Sequence, residues 1–432
     1  MKKALERIFA DFLDRDLPEG VPRALSMTPF PGKALALIGM RRSGKTYLCY
    51  QRMRELLNDG VPKDRLLYIN FEDDRLYGFH LRDFQTLLEV FYGQRPQKKS
   101  ERCHLFFDEI QNVPDWERFV RRLLDTENVE VVITGSSARM LSLEIATSLR
   151  GRSLTREVFP YDFEEYLRAN AFSLNTSLPS TRTRLRLQEE SEHYCLRGGF
   201  PELQRAQPAL RREILQSYVD AVVLKDVIER HRVSNVEALR AMLYQILSAP
   251  ASKLSVNKLY QDLKSRGLKL TKDDLYDYLR YLSDAFLLFP VTIHARSEKK
   301  RQVNPRKIYL VDNGILDAYS TGQTRDLGAR LENLVFLTLR RRGLYPDYGV
   351  TSSGYEIDFV YENNGHRELL QVSWALDSPV TREREIRSLR EGMREWNSPR
   401  ATLVTFSEEE ENDDGIRIVP LWKFLTEDET AH

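Results

Sequence analysis

Apolar, β-prone runs alternate with helical stretches over residues 33–167 of the chain. Five such runs predict strands: 34–38, 66–71, 104–108, 129–134 and 154–159. Strands separated by helices are typical of an α/β fold, with a parallel sheet covered by helices. Ahead of them, residues 1–17 carry apolar side chains at helical spacing, which predicts a helix packed on this first domain. These side chains are Leu5, Ile8, Phe9, Phe12 and Leu13.

The pattern changes after residue 169. Residues 170–192 are rich in Ser, Thr, Asn and Arg, which predicts a mobile linker. Residues 193–232 are predicted to be helical. Three further predicted helices then precede a ribbon of two β-prone runs, an order that resembles a winged helix. The helices are 236–248, 255–265 and 273–284, and the runs are 286–293 and 307–311.

Two finer signals complete this map of elements. Thr271 and Asp274 predict a capping box for the third of those helices. From residue 326 to 425 the chain again combines helices with β-prone runs near 355–361, 368–373 and 401–406. This last region predicts a second α/β domain.

Composition narrows the class of protein. With 432 residues the chain is too long for one core, so several domains are expected. Its net charge of +1 gives no overall attraction to nucleic acid, and any basic surface must be local. No apolar run is long enough to span a bilayer and the first residues lack a signal-peptide core, so we expect a cytoplasmic protein with no membrane partner. Cys49, Cys103 and Cys195 share no metal-ligand spacing and are expected to be buried thiols.

Candidate chemistry begins directly after the first predicted strand. Residues 39–46 fit the pattern G-x-x-x-x-G-K-[ST], and a predicted helix, 47–57, follows. The loop consists of Gly39, Met40, Arg41, Arg42, Ser43, Gly44, Lys45 and Thr46. Glycines allow successive backbone N–H groups to turn onto an anion at a helix N-terminus. Lys45 would reach the β- and γ-phosphates and Thr46 would ligate Mg²⁺, so the sequence predicts a nucleoside triphosphate site.

The third and fourth predicted strands end in polar residues that fit the same site. Asp108 and Glu109 end an apolar strand, where Asp108 would hold the Mg²⁺ shell and Glu109 would act as general base on the attacking water. The fourth strand runs into Thr134-Gly135-Ser136-Ser137. Ser136 is a candidate sensor of the γ-phosphate, and a simple Ser/Gly turn is the alternative.

With these residues in place, the first 230 residues resemble AAA+ ATPases that join an AAA domain to a DUF4143 region, related to archaeal-type and STAND ATPases. The matching segments are 39–46, 107–111 with Trp116 downstream, 133–137, 149–152, 159–166 and 198–201. The resemblance implies ATP as the nucleotide. It also implies that Pro201, in the 198–201 turn, belongs to a lid element that contacts the base, unless this is a plain turn.

The resemblance further implies an arginine finger at Arg152, or at Arg150. Such a finger, supplied in trans, stabilises transition-state charge and requires a homo-oligomer. A surface arginine in a local ion pair is the alternative reading.

The predicted winged helix makes DNA a candidate partner. A helix in the major groove with a basic wing along the phosphates is a known docking mode. The basic residues around the second and third helices and near the predicted wing include Lys253, Lys258, Lys264, Arg266, Lys269, Lys272, the 299–301 run, Arg306 and Lys307. Asp273, Asp274 and Asp277 on the third helix would repel phosphate, so a protein partner is the alternative.

Residues 326–373 resemble the PD-(D/E)xK nuclease fold that closes many members of this family. The resemblance implies a second metal site at Glu332, Asp358 and Gln371, where Gln371 would be a neutral oxygen donor. Cleavage also needs a lysine for the water, and Ser373 stands at its place. This favours a degenerate module over an active nuclease, although a lysine from elsewhere in the chain would restore the set.

Four domains are therefore predicted. They are an AAA+ P-loop ATPase core (1–169), a linker and helical lid (170–234), a winged helix (235–325) and a nuclease-like domain (326–432). The predicted function is Mg²⁺-dependent ATP hydrolysis coupled to a conformational change in the two C-terminal modules. The alternatives are an ATP-activated DNA nuclease and a STAND-like nucleotide switch with little turnover.

Overall fold

The computed structural model describes residues 1–93, 100–136, 149–172, 179–320, 326–411 and 414–427. Its contacts divide the chain into two compact units, one made mainly of residues 1–159 and one mainly of residues 160–432. None of the helices in these described ranges is long and apolar enough to cross a membrane.

The first unit is built on a five-stranded parallel sheet. Its strands are β1 (Ala34–Ile38), β2 (Leu66–Asn70), β3 (Cys103–Asp108), β4 (Val129–Gly135) and β5 (Ser153–Glu157). Their order across the sheet is β2-β3-β4-β1-β5. The five predicted strands are thereby confirmed. Because all the strands run parallel, the loops after β1, β3 and β4 leave the sheet at the same edge.

Helices cover this sheet and complete its core. They are α1 (Lys2–Asp14), α2 (Lys45–Asn58), α3 (Asp83–Gly93) and α4 (Trp116–Thr126). The predicted N-terminal helix is confirmed as α1, whose Phe9 ring meets Phe91 of α3 edge to face at 5.7 Å. Phe84 of α3 stacks on Phe119 of α4 at 3.9 Å between ring centroids. Aromatic contacts of this kind fix the helices over the sheet.

The second unit begins with helices. They are α5 (Phe163–Ala169), α6 (Thr181–Arg197) and α7 (Pro208–Ala221), which continues as a π-helix over Val222–Glu229. The predicted mobile linker over 170–192 is wrong for the part that α6 occupies. Ser180 caps α6 by accepting the N–H of Thr183. The side chains of Leu187 and Tyr194, about two helical turns apart, are both buried. The numerous Ser, Thr and Arg residues had masked this apolar stripe.

Three helices and a small antiparallel sheet follow. They are α8 (Val236–Ser248), β6 (Lys253–Leu254), α9 (Val256–Ser265), α10 (Lys272–Asp284), β7 (Leu288–Val291), α11 (Glu298–Val303) and β8 (Arg306–Leu310). The strand order is β6-β8-β7, and α11 connects β7 to β8. The predicted capping box is confirmed, since the N–H of Asp274 donates to Thr271 Oγ1 at 3.2 Å and the N–H of Thr271 donates to Asp274 Oδ2 at 2.7 Å.

The chain ends in a six-stranded mixed sheet with helices. Its elements are α12 (Asn313–Tyr319), α13 (Leu327–Arg341), β9 (Asp347–Val350), β10 (Glu356–Asn363), β11 (His366–Val372), α14 (Pro379–Trp396), β12 (Arg400–Thr405), β13 (Glu410–Glu411), β14 (Ile416–Pro420) and α15 (Leu421–Thr426). The order is β13-β14-β12-β11-β10-β9. The segment after β7 joins it, because the N–H of His294 donates to Tyr348 O at 2.6 Å and the N–H of Tyr348 donates to Thr292 O at 3.0 Å. The ribbon and the last sheet are therefore bonded to each other directly.

Candidate functional site

Two glycines shape the loop that follows β1. A Cβ at Gly39 would collide with the carbonyl oxygen of Val158 on the neighbouring chain segment. Gly44 caps α2 with a φ of +102°, a left-handed backbone that suits glycine. Because α2 starts at Lys45, the N–H groups of its first turn lack helical partners and make this helix end an anion site. The loop thus has the backbone form that the sequence predicts.

One buried hydroxyl bears on what the loop could bind. Ser43 is fully buried, and its Oγ has no hydrogen-bond partner within the described ranges of the chain. Buried polar atoms are nearly always hydrogen-bonded, because leaving one unpaired costs free energy. A phosphate oxygen in the loop would satisfy this hydroxyl.

Lys45 lies inside the loop, with only 4% of its side chain exposed. Its Nζ donates to the carbonyl oxygens of Gly39 at 3.0 Å and Met40 at 3.2 Å. It also lies 3.7 Å from Oε1 of Glu109. The ammonium is therefore held by acceptors of the chain itself, which phosphate oxygens would have to replace.

The Asp108 carboxylate, at the end of β3, accepts hydrogen bonds from three hydroxyl groups. Thr46 Oγ1 and Tyr68 OH each donate to its Oδ2 at 2.8 Å, and Thr134 Oγ1 donates to Oδ1. Burial raises the pKa of the Asp108 carboxyl above its ordinary value, although the hydrogen bond from Thr134 opposes this. The carboxylate and the Thr46 hydroxyl are oxygen donors of the kind that Mg²⁺ prefers.

Glu109 is held from several sides. Its backbone is left-handed, with φ 51° and ψ 44°, which is uncommon for a residue other than glycine. Its N–H donates to Thr134 Oγ1 at 3.0 Å, and its carboxylate accepts from Nε2 of Gln111. The same amide lies 3.4 Å from Oγ of Ser136, which is buried at the end of β4. The structure thus brings Lys45, Glu109 and Ser136 to one place.

The remaining residues of the loop differ in their surroundings. Met40 is buried, and Arg41 pairs with Glu72 at 2.9 Å. Arg42 is exposed. Arg23, which the sequence did not single out, donates to the carbonyl oxygens of Ser43 at 3.0 Å and of residue 159 at 2.8 Å. Arg23 thus links the loop to the segment that follows β5.

The chain is similar in sequence to a known domain family and to proteins of other organisms. Residues 31–167 match the family described as "AAA domain". The uncharacterized protein MJ1544 of Methanocaldococcus jannaschii is 34% identical over 417 residues, which cover 94% of this chain and 90% of that protein. The chain belongs to the same family as MJ1544 and contains an AAA domain. An uncharacterized protein of Haemophilus influenzae is 31% identical over 79% of this chain and 82% of its own length.

Other similarities of this AAA-type family member are weaker or less informative. Residues 188–326 match a domain of unknown function, DUF8612, so the DUF4143 region stays a prediction. The Walker-type ATPase PABY2304 of Pyrococcus abyssi is similar with a TM-score of 0.41 at 17% identity, over 74% of this chain and 95% of that one. The ORC1 protein of Aeropyrum pernix, solved in complex with DNA, has a TM-score of 0.31 at 15% identity, over 74% and 92%. The family assignment rests on the sequence relatives.

Arg152 lies away from the loop within one chain of this AAA-type protein. It precedes β5 and its carbonyl accepts the N–H of Ala34 at 2.9 Å, which places it at the amino-terminal edge of the sheet. The loop leaves the opposite end of β1. The Arg152 side chain is 42% exposed and forms an ion pair with Asp125. Within its own chain, Arg152 therefore forms a local ion pair, which was the alternative to an arginine finger. The neighbouring Arg150 is exposed.

Pro201 starts a short 3-10 helix, Pro201–Leu203, in the second unit. The turn before it is fixed by Asp312, whose Oδ2 accepts the N–H of Gly199 at 2.6 Å and whose Oδ1 accepts the N–H of Gly314 at 2.8 Å. Burial raises the pKa of Asp312 to about 6. The turn is therefore joined to the start of α12.

A lysine fills the second predicted metal site. Nζ of Lys307 lies 2.8 Å from Glu332 Oε1 and from Asp358 Oδ1, and 3.0 Å from Glu356 Oε1. Its side chain is 5% exposed. Burial alone would lower the pKa of Lys307, but the carboxylates of Asp358, Glu332 and Glu356 outweigh it and raise the pKa above its ordinary value. We call these four residues the Lys307 cluster.

The other parts of the predicted nuclease-like set are engaged as well. Burial, followed by the charge of Asp358, raises the pKa of Glu332 to about 7. Oε1 of Gln371 accepts the N–H of Asp358 at 3.1 Å, and its Nε2 donates to Glu385 at 2.9 Å. Ser373 Oγ donates to a backbone carbonyl at 3.0 Å. Within the described ranges no group of three or more His, Cys, Asp or Glu side chains is placed to hold a metal ion.

Proposed function

We propose that this protein hydrolyses ATP with Mg²⁺ at the 39–46 loop, with Glu109 as general base. The proposal is carried by the arrangement of four side chains at one edge of the sheet, those of Lys45, Thr46, Asp108 and Glu109. Thr46 Oγ1 donates a hydrogen bond of 2.8 Å to the Asp108 carboxylate. The unpartnered Ser43 hydroxyl and the open helix end support an anion in the loop.

Each residue has a distinct task in this proposal. Lys45 would exchange its backbone carbonyls for phosphate oxygens, which frees Glu109 from its 3.7 Å ion pair. Thr46 and Asp108 would hold Mg²⁺, which neutralises phosphate charge when bound. Glu109 would accept the proton of the attacking water, and Ser136 would contact the γ-phosphate.

Lys45→Ala is expected to weaken ATP binding by about 10- to 150-fold, because charge-assisted hydrogen bonds to the phosphates are lost. Titration of a fluorescent ATP analogue in the presence of Mg²⁺ measures this. Lys33→Ala is the matched control, since Lys33 precedes β1 at the opposite end of that strand and lies over the Phe30 ring. Equal affinity of wild type and Lys45→Ala would remove the loop from the nucleotide site.

We propose that the 198–201 turn transmits the nucleotide state to the C-terminal modules, with Pro201 contacting the base. The support is the pair of hydrogen bonds of Asp312, at 2.6 Å to Gly199 and 2.8 Å to Gly314, which joins the turn to α12. A displaced turn would move the start of α12 and with it the strand β8 just before it. We further propose that Arg152 leaves Asp125 to act in trans when copies of the chain assemble.

We propose that α8–α10 with the β6-β8-β7 sheet act as a winged helix on DNA. Two basic residues of this region are not available, because Lys307 is buried among carboxylates and Lys253 pairs with Glu356 at 2.6 Å. Lys264 and Lys272 remain exposed, with their ammonium groups 5.5 Å and 5.7 Å from the centroid of the Tyr260 ring. Cations beside an aromatic ring form a surface suited to phosphates and bases.

Replacing both Lys264 and Lys272 by Glu is expected to weaken binding of duplex DNA and to reduce its salt dependence. Each lost phosphate contact lowers the slope of log affinity against log salt concentration by about one. Fluorescence anisotropy of a labelled duplex over about 50–200 mM salt measures both. Lys225→Glu, which changes an exposed lysine of the π-helix paired with Glu229, is the control. Affinity that does not depend on salt would favour a protein partner instead.

For the nuclease-like module we propose loss of cleavage. Lys307 supplies the ammonium that Ser373 does not, which is the observation in favour of an ATP-activated nuclease. However, this ammonium contacts three carboxylates at 2.8–3.0 Å, and Gln371 already bonds to Asp358 and Glu385. Metal ligands satisfied in this way favour a relict module over an active one.

A further inference from the structure

Gln111 connects two residues of the proposed reaction. It lies in the 3-10 turn Ile110–Asn112 that follows Glu109. Its Nε2 donates to the Glu109 carboxylate and lies 3.4 Å from Ser136 Oγ. One amide group therefore bridges the proposed base and the proposed γ-phosphate sensor.

Among the described residues, few other contacts could orient the Glu109 carboxylate. Its backbone is fixed by the left-handed conformation and by the N–H bond to Thr134 at 3.0 Å. One carboxylate oxygen faces Lys45 at 3.7 Å and the other accepts from Gln111. When Lys45 turns to phosphate, the contact with Gln111 would remain to aim the carboxylate.

The amide of Gln111 is also incompletely bonded. Its Oε1 is buried and has no hydrogen-bond partner in the part of the chain that the structure describes. A buried acceptor without a partner is unfavourable, so this arrangement favours a state in which the amide gains a contact. Ser136, whose hydroxyl can donate as well as accept, lies close enough for such a rearrangement.

We propose that Gln111 is a positioning residue that aims Glu109 at the attacking water and makes this orientation depend on Ser136. It acts through Glu109 and takes no proton itself. The inference rests on the proposed ATP hydrolysis and names the residue that sets the geometry of its base.

Gln111→Leu removes the amide at similar volume and is expected to lower kcat by about 10- to 100-fold, with KM for ATP changed less than about threefold. Gln111→Glu places a second carboxylate beside Glu109 and cannot donate the hydrogen bond, so it is expected to lower kcat as well and to move the acidic limb of the kcat–pH profile to higher pH. Steady-state ATPase assays over a pH series measure both. Gln85→Leu is the matched control, since Gln85 donates to Glu89 on α3, outside the site.

A purely structural role would lower thermal stability in both variants and leave the pH profile of the folded fraction in place. Wild-type kcat and an unmoved pH profile in the two Gln111 variants, in a protein whose Glu109→Gln form is inactive, would overturn this inference and leave the ATPase proposal standing. Absence of turnover in the wild type would overturn both. If Gln111→Leu does not fold, Gln111→Glu keeps the side-chain length without the donated hydrogen bond, and a wild-type kcat in that variant would contradict the inference.

Discussion

Glu109→Gln is expected to bind ATP about as tightly as the wild type and to lose about 100- to 10,000-fold in turnover. The amide keeps the size of the side chain and cannot accept a proton from water. Binding should persist because the loop contacts come from Lys45, Thr46 and the start of α2. Turnover is measured as phosphate release under saturating ATP and Mg²⁺. ATP affinity is measured by titration of a fluorescent ATP analogue.

Glu55→Gln is the control for this substitution. Glu55 lies on α2 and contacts Arg52 at 3.3 Å, so its charge belongs to the helix surface and not to the loop. Unchanged turnover of Glu109→Gln would show that another group is the base. A wild type that retains nucleotide through purification without turning it over would instead support the STAND-like switch.

Lys307→Met is expected to lower the free energy of unfolding by about 3–5 kcal/mol, because three buried or half-buried carboxylates would lose their shared counter-ion. Urea denaturation followed by circular dichroism measures the change. Lys253→Met is the matched control. Lys253 pairs with Glu356 at 2.6 Å, but both side chains are more than one third exposed, so its loss should cost about 0–1 kcal/mol.

A second substitution separates charge from packing in the Lys307 cluster. Asp358→Asn added to Lys307→Met should recover part of the lost stability, because one uncompensated charge is removed. Equal stability of Lys307→Met and Lys253→Met would contradict the assigned role of the ammonium. In parallel, wild-type protein should leave plasmid DNA intact with ATP and Mg²⁺ or Mn²⁺, whereas nicking abolished by Asp358→Ala would establish the nuclease.

The sequence predicted the parts of the site that are local in the chain. The 39–46 loop, the strand ending at Asp108 and the capping box at Thr271 each depend on a few neighbouring residues, and a spacing pattern expresses them. The five strands of the first unit were equally readable, since each is a short apolar run between helices.

Contacts between distant segments could not be predicted in this way. Tyr68 and Asp108 are 40 positions apart, and Lys307 and Asp358 are 51 apart. Tyr68 looks like any apolar strand residue until β2 and β3 are paired, and Lys307 looks like a basic residue of the ribbon. Only the fold reveals that the Tyr68 hydroxyl donates to the Asp108 carboxylate and that the Lys307 ammonium lies between Glu332 and Asp358.

The Lys307 cluster also bears on what would be needed to place a metal ion among these carboxylates. An acid at position 371 would lose the hydrogen bond that Gln371 donates to Glu385, although a carboxylate oxygen could still accept the N–H of Asp358. Loss of Lys307 while the acids remain would leave them mutually repelling. Each of the two changes is thus unfavourable alone, so a metal site among these carboxylates would need both changes together.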